Sequence, residues 1–171
     1  MGRYDDIFVE GIATFQQPKN KKKQAEIAMK QFDPKSVCLN ALNIAADFGF
    51  PMNGTEDDIE KLEAIFRGLH VDFENGNLAE PKLTNAVIIF GVYLGQLLLD
   101  LYLTKAGFKW NLDDGMPMVK KNDNNYISPL SKVRNHIVNG GEDDIRPFCK
   151  VAEMLADGTL KQQFDKLSGQ Q

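Results

Sequence analysis

Tyr93, Gln96 and Asp100 punctuate one long apolar run, and Trp110 follows shortly after it. Gln96 and Asp100 are four residues apart, so a helix places them on one face amid leucines. A carboxylate held among leucines can have a raised pKa and act as a general acid or base. An enzyme built this way would place its pocket between the long helix and the segment carrying Trp110, using Asp100 with Gln96, Tyr93 or Trp110. No second catalytic partner stands at an interpretable spacing, and a hydrogen-bonded or exposed polar patch explains the same residues more simply.

The acidic clusters Glu56-Asp57-Asp58 and Glu142-Asp143-Asp144 are the next candidates, as ligands for a divalent cation. Both stand at expected helix starts, where the helix dipole and free amides favour carboxylates. Neither has the alternating acidic loop of a calcium site, and Asp113-Asp114-Gly115 reads as a turn. No metal and no cofactor are expected. His70 and His136 are the only imidazoles. His70 is expected at the end of a helix, complementing its dipole, and His136 beside Arg134 in an exposed stretch. They form no Ser-His-Asp, Cys-His or His-x-x-x-His grouping, and the glycines are scattered rather than gathered into a phosphate loop. Lys19 and Lys21 to Lys23 make the one strong basic run, read as a solvated interhelical loop; a nucleic-acid contact through Lys19–Lys23 is the alternative.

The elements that must position these residues are mostly helical. Apolar spacing predicts helices over 4–15 and 22–32, the second broken by Asp33-Pro34, then one capped by Ser36 and ending near Gly49. After Asn53-Gly54, Thr55 is the expected cap of an amphipathic helix with Asp58 as its capping-box acid. Ile59, Leu62, Ile65, Phe66 and Leu69 form its inner stripe, while Glu56, Asp57, Asp58, Glu60 and Glu63 take its start and outer face. Residues 86–103 are nearly long enough to span a bilayer, but Gln96 and Asp100 interrupt them, so a core helix is expected. Gly91 and Gly95, one turn apart on it, read as a site of close packing.

From Phe108 the period changes to two. Residues 108–112, 116–120 and 125–127 read as three strands of a meander, with Pro117 confining the second to an edge or irregular role. Further helices are expected from Ser128-Pro129 to residue 138, over 142–156 and over 160–167. The fold class is therefore α+β, predominantly helical, with a small antiparallel three-stranded meander packed on a long central helix. A single domain over 1–171 is expected, with a helical N-terminal part at 1–50 and the central helix, meander and C-terminal helices over 86–167.

Composition narrows the function classes. The 171 residues are 43% hydrophobic and 26% charged, ordinary for a globular chain, and the net charge of -4 runs against a dedicated nucleic-acid binder. Cys38 and Cys149 lie far apart in apolar contexts, as buried thiols of a reducing compartment would. The start lacks the basic and apolar pattern of a secretory signal, which sets a cytoplasmic expectation.

Over residues 86–150 the pattern Gly91-x-Tyr93-x-Gly95-Gln96, Gly107-x-x-Trp110, Ile127-Ser128-Pro129, Lys132-Val133 and Asn139-Gly140, with an acidic stretch before Phe148, resembles small uncharacterised bacterial domains of the immunity-protein type found near toxin systems. Those domains often carry Glu where this chain has Gln96. The resemblance implies an intracellular inhibitor of a toxin. Together these features set the expectation of a non-enzymatic protein-binding module in a bacterial cytoplasm, with a protein partner held by the acids of 53–80. These acids far outnumber Lys61 and Arg67. No membrane and no nucleic acid enter that reading.

Overall fold

The computed structural model describes residues 31–113 and 115–168. The helices expected over 4–15 and 22–32, and the Lys19–Lys23 run, lie outside these residues, save the last two positions of the second helix. In chain order come helix α1 (Pro34–Asp47), α2 (Asp58–Glu74), α3 (Lys82–Leu98), strands β1 (Lys109–Asp113), β2 (Met116–Asn122) and β3 (Asn125–Ile127), then α4 (Pro129–Asn139), α5 (Ile145–Asp157) and α6 (Thr159–Ser168). The architecture is α+β and mostly helical, with an antiparallel sheet of order β1-β2-β3 beside the long central helix.

Helix α3 organises the rest. Its interior face runs through Leu83, Ala86, Phe90, Leu94, Leu97 and Leu98, all essentially solvent-free. Each large apolar side chain so buried contributes roughly 1.5–3 kcal/mol. The continuous helix Lys82–Ala106 is long and apolar enough to cross a membrane, but 72% of its most apolar window is buried inside the protein. It packs against α1 and α4, and α4 packs in turn on α2. An edge-to-face contact of Phe66 with Phe90, ring centroids 6.0 Å apart, ties α2 to α3.

The paired glycines explain how α4 approaches so closely. A Cβ on Gly91 would lie 2.8 Å from Leu130 Cα, and one on Gly95 2.3 Å from the Trp110 ring and 2.9 Å from Pro129. The groove thus seats the first turn of α4 and the indole together, the close packing expected of this spacing.

Beyond Leu98 the helix widens into a π-helical turn, Leu99–Leu103, then tightens into a 3-10 turn, Thr104–Ala106. Periodicity gave no sign of this, because a π turn inserts a residue without changing composition. Leu99 and Leu103 remain buried, Asp100 is exposed and Tyr102 half-buried. Gly107, at φ 89°, then turns the chain into β1.

Several local expectations change. Ser36 is not the cap of α1; Asp33 is, accepting from the Lys35 amide, and Pro34 occupies the first turn, where its missing N–H costs nothing. Thr55 does not cap α2 either. Its amide and hydroxyl both turn to the Asn53 side chain, and helix geometry begins after Asp57. Residues 140–143 form a 3-10 turn, and the next helix starts at Ile145 behind an Asp144 cap. Pro117 lies in the middle strand of the sheet, yet β3 pairs only with Val119, Lys120 and Asn122. The β3 side of β2 is therefore unpaired at Pro117, and the missing N–H is tolerated there.

Candidate functional site

The acids at the start of α2 divide into two sets that differ in burial. Asp58 is fully buried and Glu63 nearly so, which corrects their expected place on the outer face. Glu56, Asp57 and Glu60 are exposed.

Asp58 is an anchor. Its Oδ2 accepts from the Tyr93 hydroxyl at 2.7 Å, the Gly54 amide at 2.7 Å and the Asn53 amide at 3.0 Å, while Oδ1 accepts from Lys61 Nζ at 3.0 Å. It does what a capping-box acid does, reaching back to free amides, but the amides belong to the Asn53-Gly54 loop. Burial pulls its carboxyl upward; the bonds from Tyr93, Lys61, Gly54 and Asn53 outweigh that and leave it below 3.8. Burial, then the bond to Asp58, pushes the Tyr93 phenol well above its ordinary range. The loop, α2 and α3 are held at one point.

Glu63 is the second anchor, about one and a half helix turns further along. Its Oε2 meets His136 Nε2 at 2.9 Å and the Ile145 amide at 3.2 Å, and its Oε1 accepts from Arg67 Nε at 3.0 Å. His136 is fully buried, correcting its exposed placement, and its ring lies edge-on to Phe66 with centroids 5.5 Å apart. Nε2–H donates to the carboxylate, leaving Nδ1 buried without a hydrogen-bond partner among the described residues. His70 is not at a helix end, since α2 continues to Glu74. Its Nδ1–H donates to the Ile137 carbonyl at 2.9 Å, and its ring occupies the space a side chain on Gly140 would need.

Outside these anchors, Glu56, Asp57 and Glu60 form a ridge on the first turn of α2 and the residues leading into it. Glu56 accepts from the Tyr102 hydroxyl of the π turn, and burial followed by that bond raises the Tyr102 phenol. Glu60 faces Arg146 at 3.4 Å, although Arg146 is committed chiefly to Asp144. The Arg146 hydrogen bond holds the Asp144 carboxyl at about 2. Asp57 has no ion pair among the described residues. The ridge therefore carries negative charge on a backbone fixed from beneath.

The four residues grouped around Asp100 are only partly brought together. Trp110 Nε1 donates to Gln96 Oε1 at 3.0 Å, and Gln96 Nε2 donates to Asp100 Oδ1 at 2.8 Å. Tyr93 points elsewhere, to Asp58. The chain of bonds ends on an exposed carboxylate, and it fastens the meander to α3 as a polar patch should. Phe32 closes over the indole edge-on, centroids 5.4 Å apart. Cys38, half-buried on α1, and buried Cys149 are free thiols. Burial pushes each up to about 12, so neither is a thiolate nucleophile near neutral pH.

In the second acidic cluster, Asp143 takes Asn139 and Lys132, Asp144 takes Arg146, and Glu142 is exposed. Among the described residues no group of three or more His, Cys, Asp or Glu is arranged to hold a metal ion. Sequence reasoning missed the Glu63–His136 pair, 73 residues apart along the chain. An acid at an inward helical position was the one signal available for it. No family model, curated protein or solved structure matches the chain.

Proposed function

We propose that the protein is a non-enzymatic binding module that captures a basic protein partner on the ridge formed by Glu56, Asp57 and Glu60. The observation that supports it is the division of labour within one helix start. Asp58 and Glu63 are consumed in interior ties, while their neighbours stay exposed and are held in place by those ties. Charges on a fixed backbone lose little conformational freedom on binding, and an acidic face speeds the capture of a cationic partner. The resemblance of residues 86–150 to immunity-type domains supports the narrower form of the proposal. In that form the module is an intracellular inhibitor in a bacterial cytoplasm and the partner is a toxin.

Affinity capture with the full chain as bait, followed by titration of the captured partner, tests this. The expected result is one stoichiometric basic protein whose association rate falls with salt. Its affinity should drop about tenfold or more in the variant Asp57→Lys/Glu60→Lys, as loss of close charge pairs would produce. Unchanged affinity and salt dependence in that variant would remove the ridge from the interface. A retained small molecule and no protein would favour a ligand-binding or enzymatic role instead.

A further inference from the structure

We propose that the basic partner meets this protein through an amphipathic helix, laid along the solvent face of α2 from the acidic ridge to Val71. The inference rests on the ridge reading above and names the element that fills that face. Helix periodicity is the starting point. Asp57, Glu60, Ala64, Gly68 and Val71 follow one another at steps of three and four residues, so they share one stripe. Leu62, Ile65, Phe66 and Leu69 are buried on the opposite side, where α4 and α5 pack.

The stripe changes character along its length. It begins acidic, falls to a low floor at half-buried Ala64 and exposed Gly68, and rises again at Val71, which is 56% exposed. Lys61 and Arg67 flank it, and each is tied at 3.0 Å to an interior acid, Asp58 and Glu63 respectively.

Gly68 is the residue that folding does not explain. Glycine inside a helix is destabilising relative to alanine. Among the described residues three glycines lie inside α-helices, and the fold demands two of them. A Cβ on Gly91 would collide with Leu130 and one on Gly95 with Trp110, whereas a Cβ on Gly68 would meet nothing within 4 Å. Room for a side chain is open, yet the position carries none, and Val71 adds apolar surface to the same face. A second helix accounts for both features, because the distance between helix axes is set by the side chains at the contact. Its backbone approaches closely at Gly68, and its apolar side chains cover Ala64 and Val71.

Charge selects which helix. Glu60 and Asp57 lie about 12–17 Å along the axis from Gly68, two to three turns away. An antiparallel helix brings its C-terminal turns, where Lys and Arg are favoured, against these acids. The occupant is therefore a helix with Lys or Arg near its C-terminus and large apolar side chains about two turns earlier. A nucleic-acid backbone or an anionic membrane would meet like charge at Asp57 and Glu60.

The test is a selection of displayed single helices, randomised along one face, against the full-length protein. The best helix is then synthesised and titrated. Enriched helices should carry Lys or Arg in the C-terminal turns and Leu, Ile or Phe about two turns before them. Gly68→Leu should melt at or above the parent temperature, yet bind the helix about tenfold or more weakly, because the added side chain overpacks the contact. Val71→Ser should bind it about fivefold or more weakly through lost apolar burial. Asp57→Lys/Glu60→Lys should weaken it as well. Loss in that charge variant with none in Gly68→Leu and Val71→Ser would overturn the helix docking and leave the ridge reading standing. Loss in Gly68→Leu with none in the charge variant would overturn the ridge reading, and the basic occupant with it. A lowered melting temperature for Gly68→Leu would mean that other residues of this chain cover the stripe. Self-association abolished by Gly68→Leu would give the stripe to a second copy. Either result overturns the proposal, as does failure to enrich helices of that pattern.

Discussion

Replacing Asp58 tests whether the start of α2 is held from within. The carboxylate is fully buried and accepts from Tyr93, Gly54, Asn53 and Lys61. Asp58→Ala strands four donors and breaks a buried charge pair, which should cost about 3–5 kcal/mol. For a chain of this size that lowers the melting temperature by about 6–20 °C. Asp58→Asn can keep the Tyr93, Gly54 and Asn53 bonds on its carbonyl oxygen but turns an NH2 group toward the Lys61 ammonium. Its cost should be lower, about 1–3 kcal/mol. Tyr93→Phe leaves the carboxylate three of its donors and should cost about 1 kcal/mol. The double variant should then show a coupling of at least about 0.5 kcal/mol, because the two groups touch. The sign with pH follows from the depressed carboxyl. Its contribution is complete above the unfolded value near 3.8 and is lost as pH falls through the lower folded value. Urea unfolding at pH 7 and again from pH 5 down to 2 measures both effects. The parent should lose more stability over that acid range than Asp58→Asn does. An Asp58→Ala variant within about 0.5 kcal/mol of the parent would refute the interior anchor, since only surface changes are that mild.

Removing either member of the second anchor should have unequal effects. Glu63→Ala leaves His136, Arg67 and the Ile145 amide without their acceptor and should cost about 3–5 kcal/mol. His136→Phe removes one of three donors, abolishes the orphaned Nδ1 and should cost less; equal losses in urea unfolding would contradict the arrangement. Gly95→Ala drives a methyl into Trp110 and should cost about 1–3 kcal/mol through overpacking. Since Trp110 is the only tryptophan, its emission should shift to the red as the ring is displaced. An unshifted spectrum with full stability would mean the ring lies elsewhere. With both thiols raised to about 12, neither cysteine should react promptly with a thiol reagent at pH 8 in the native protein. Both should react on unfolding; an immediately reactive thiol in the folded state would be inconsistent with the packing around it.

Much of the fold was open to pattern reading because local periodicity reports which faces are buried. The apolar run around Phe90, the stripe Ile59 to Leu69, the alternation after Gly107 and the close packing at Gly91 and Gly95 all follow from side-chain repeat and glycine spacing. Helix starts were less legible. Asp33, Ser36 and Thr55 are all sound capping residues, and neighbours such as Pro34 and Asn53 decided which of them served. The acidic start of α2 shows the limit most directly. Composition marks Glu56, Asp57, Asp58, Glu60 and Glu63 as one negative patch, since a carboxylate that pairs in the interior has the same letter as one in water. Tertiary structure separated them by bringing Tyr93 to Asp58 across 35 residues and His136 to Glu63 across 73. The acidity of that helix start was written in the chain itself. Which of its charges hold the fold together and which face outward was decided by residues distant in sequence, because burying a charge requires partners that no local pattern supplies.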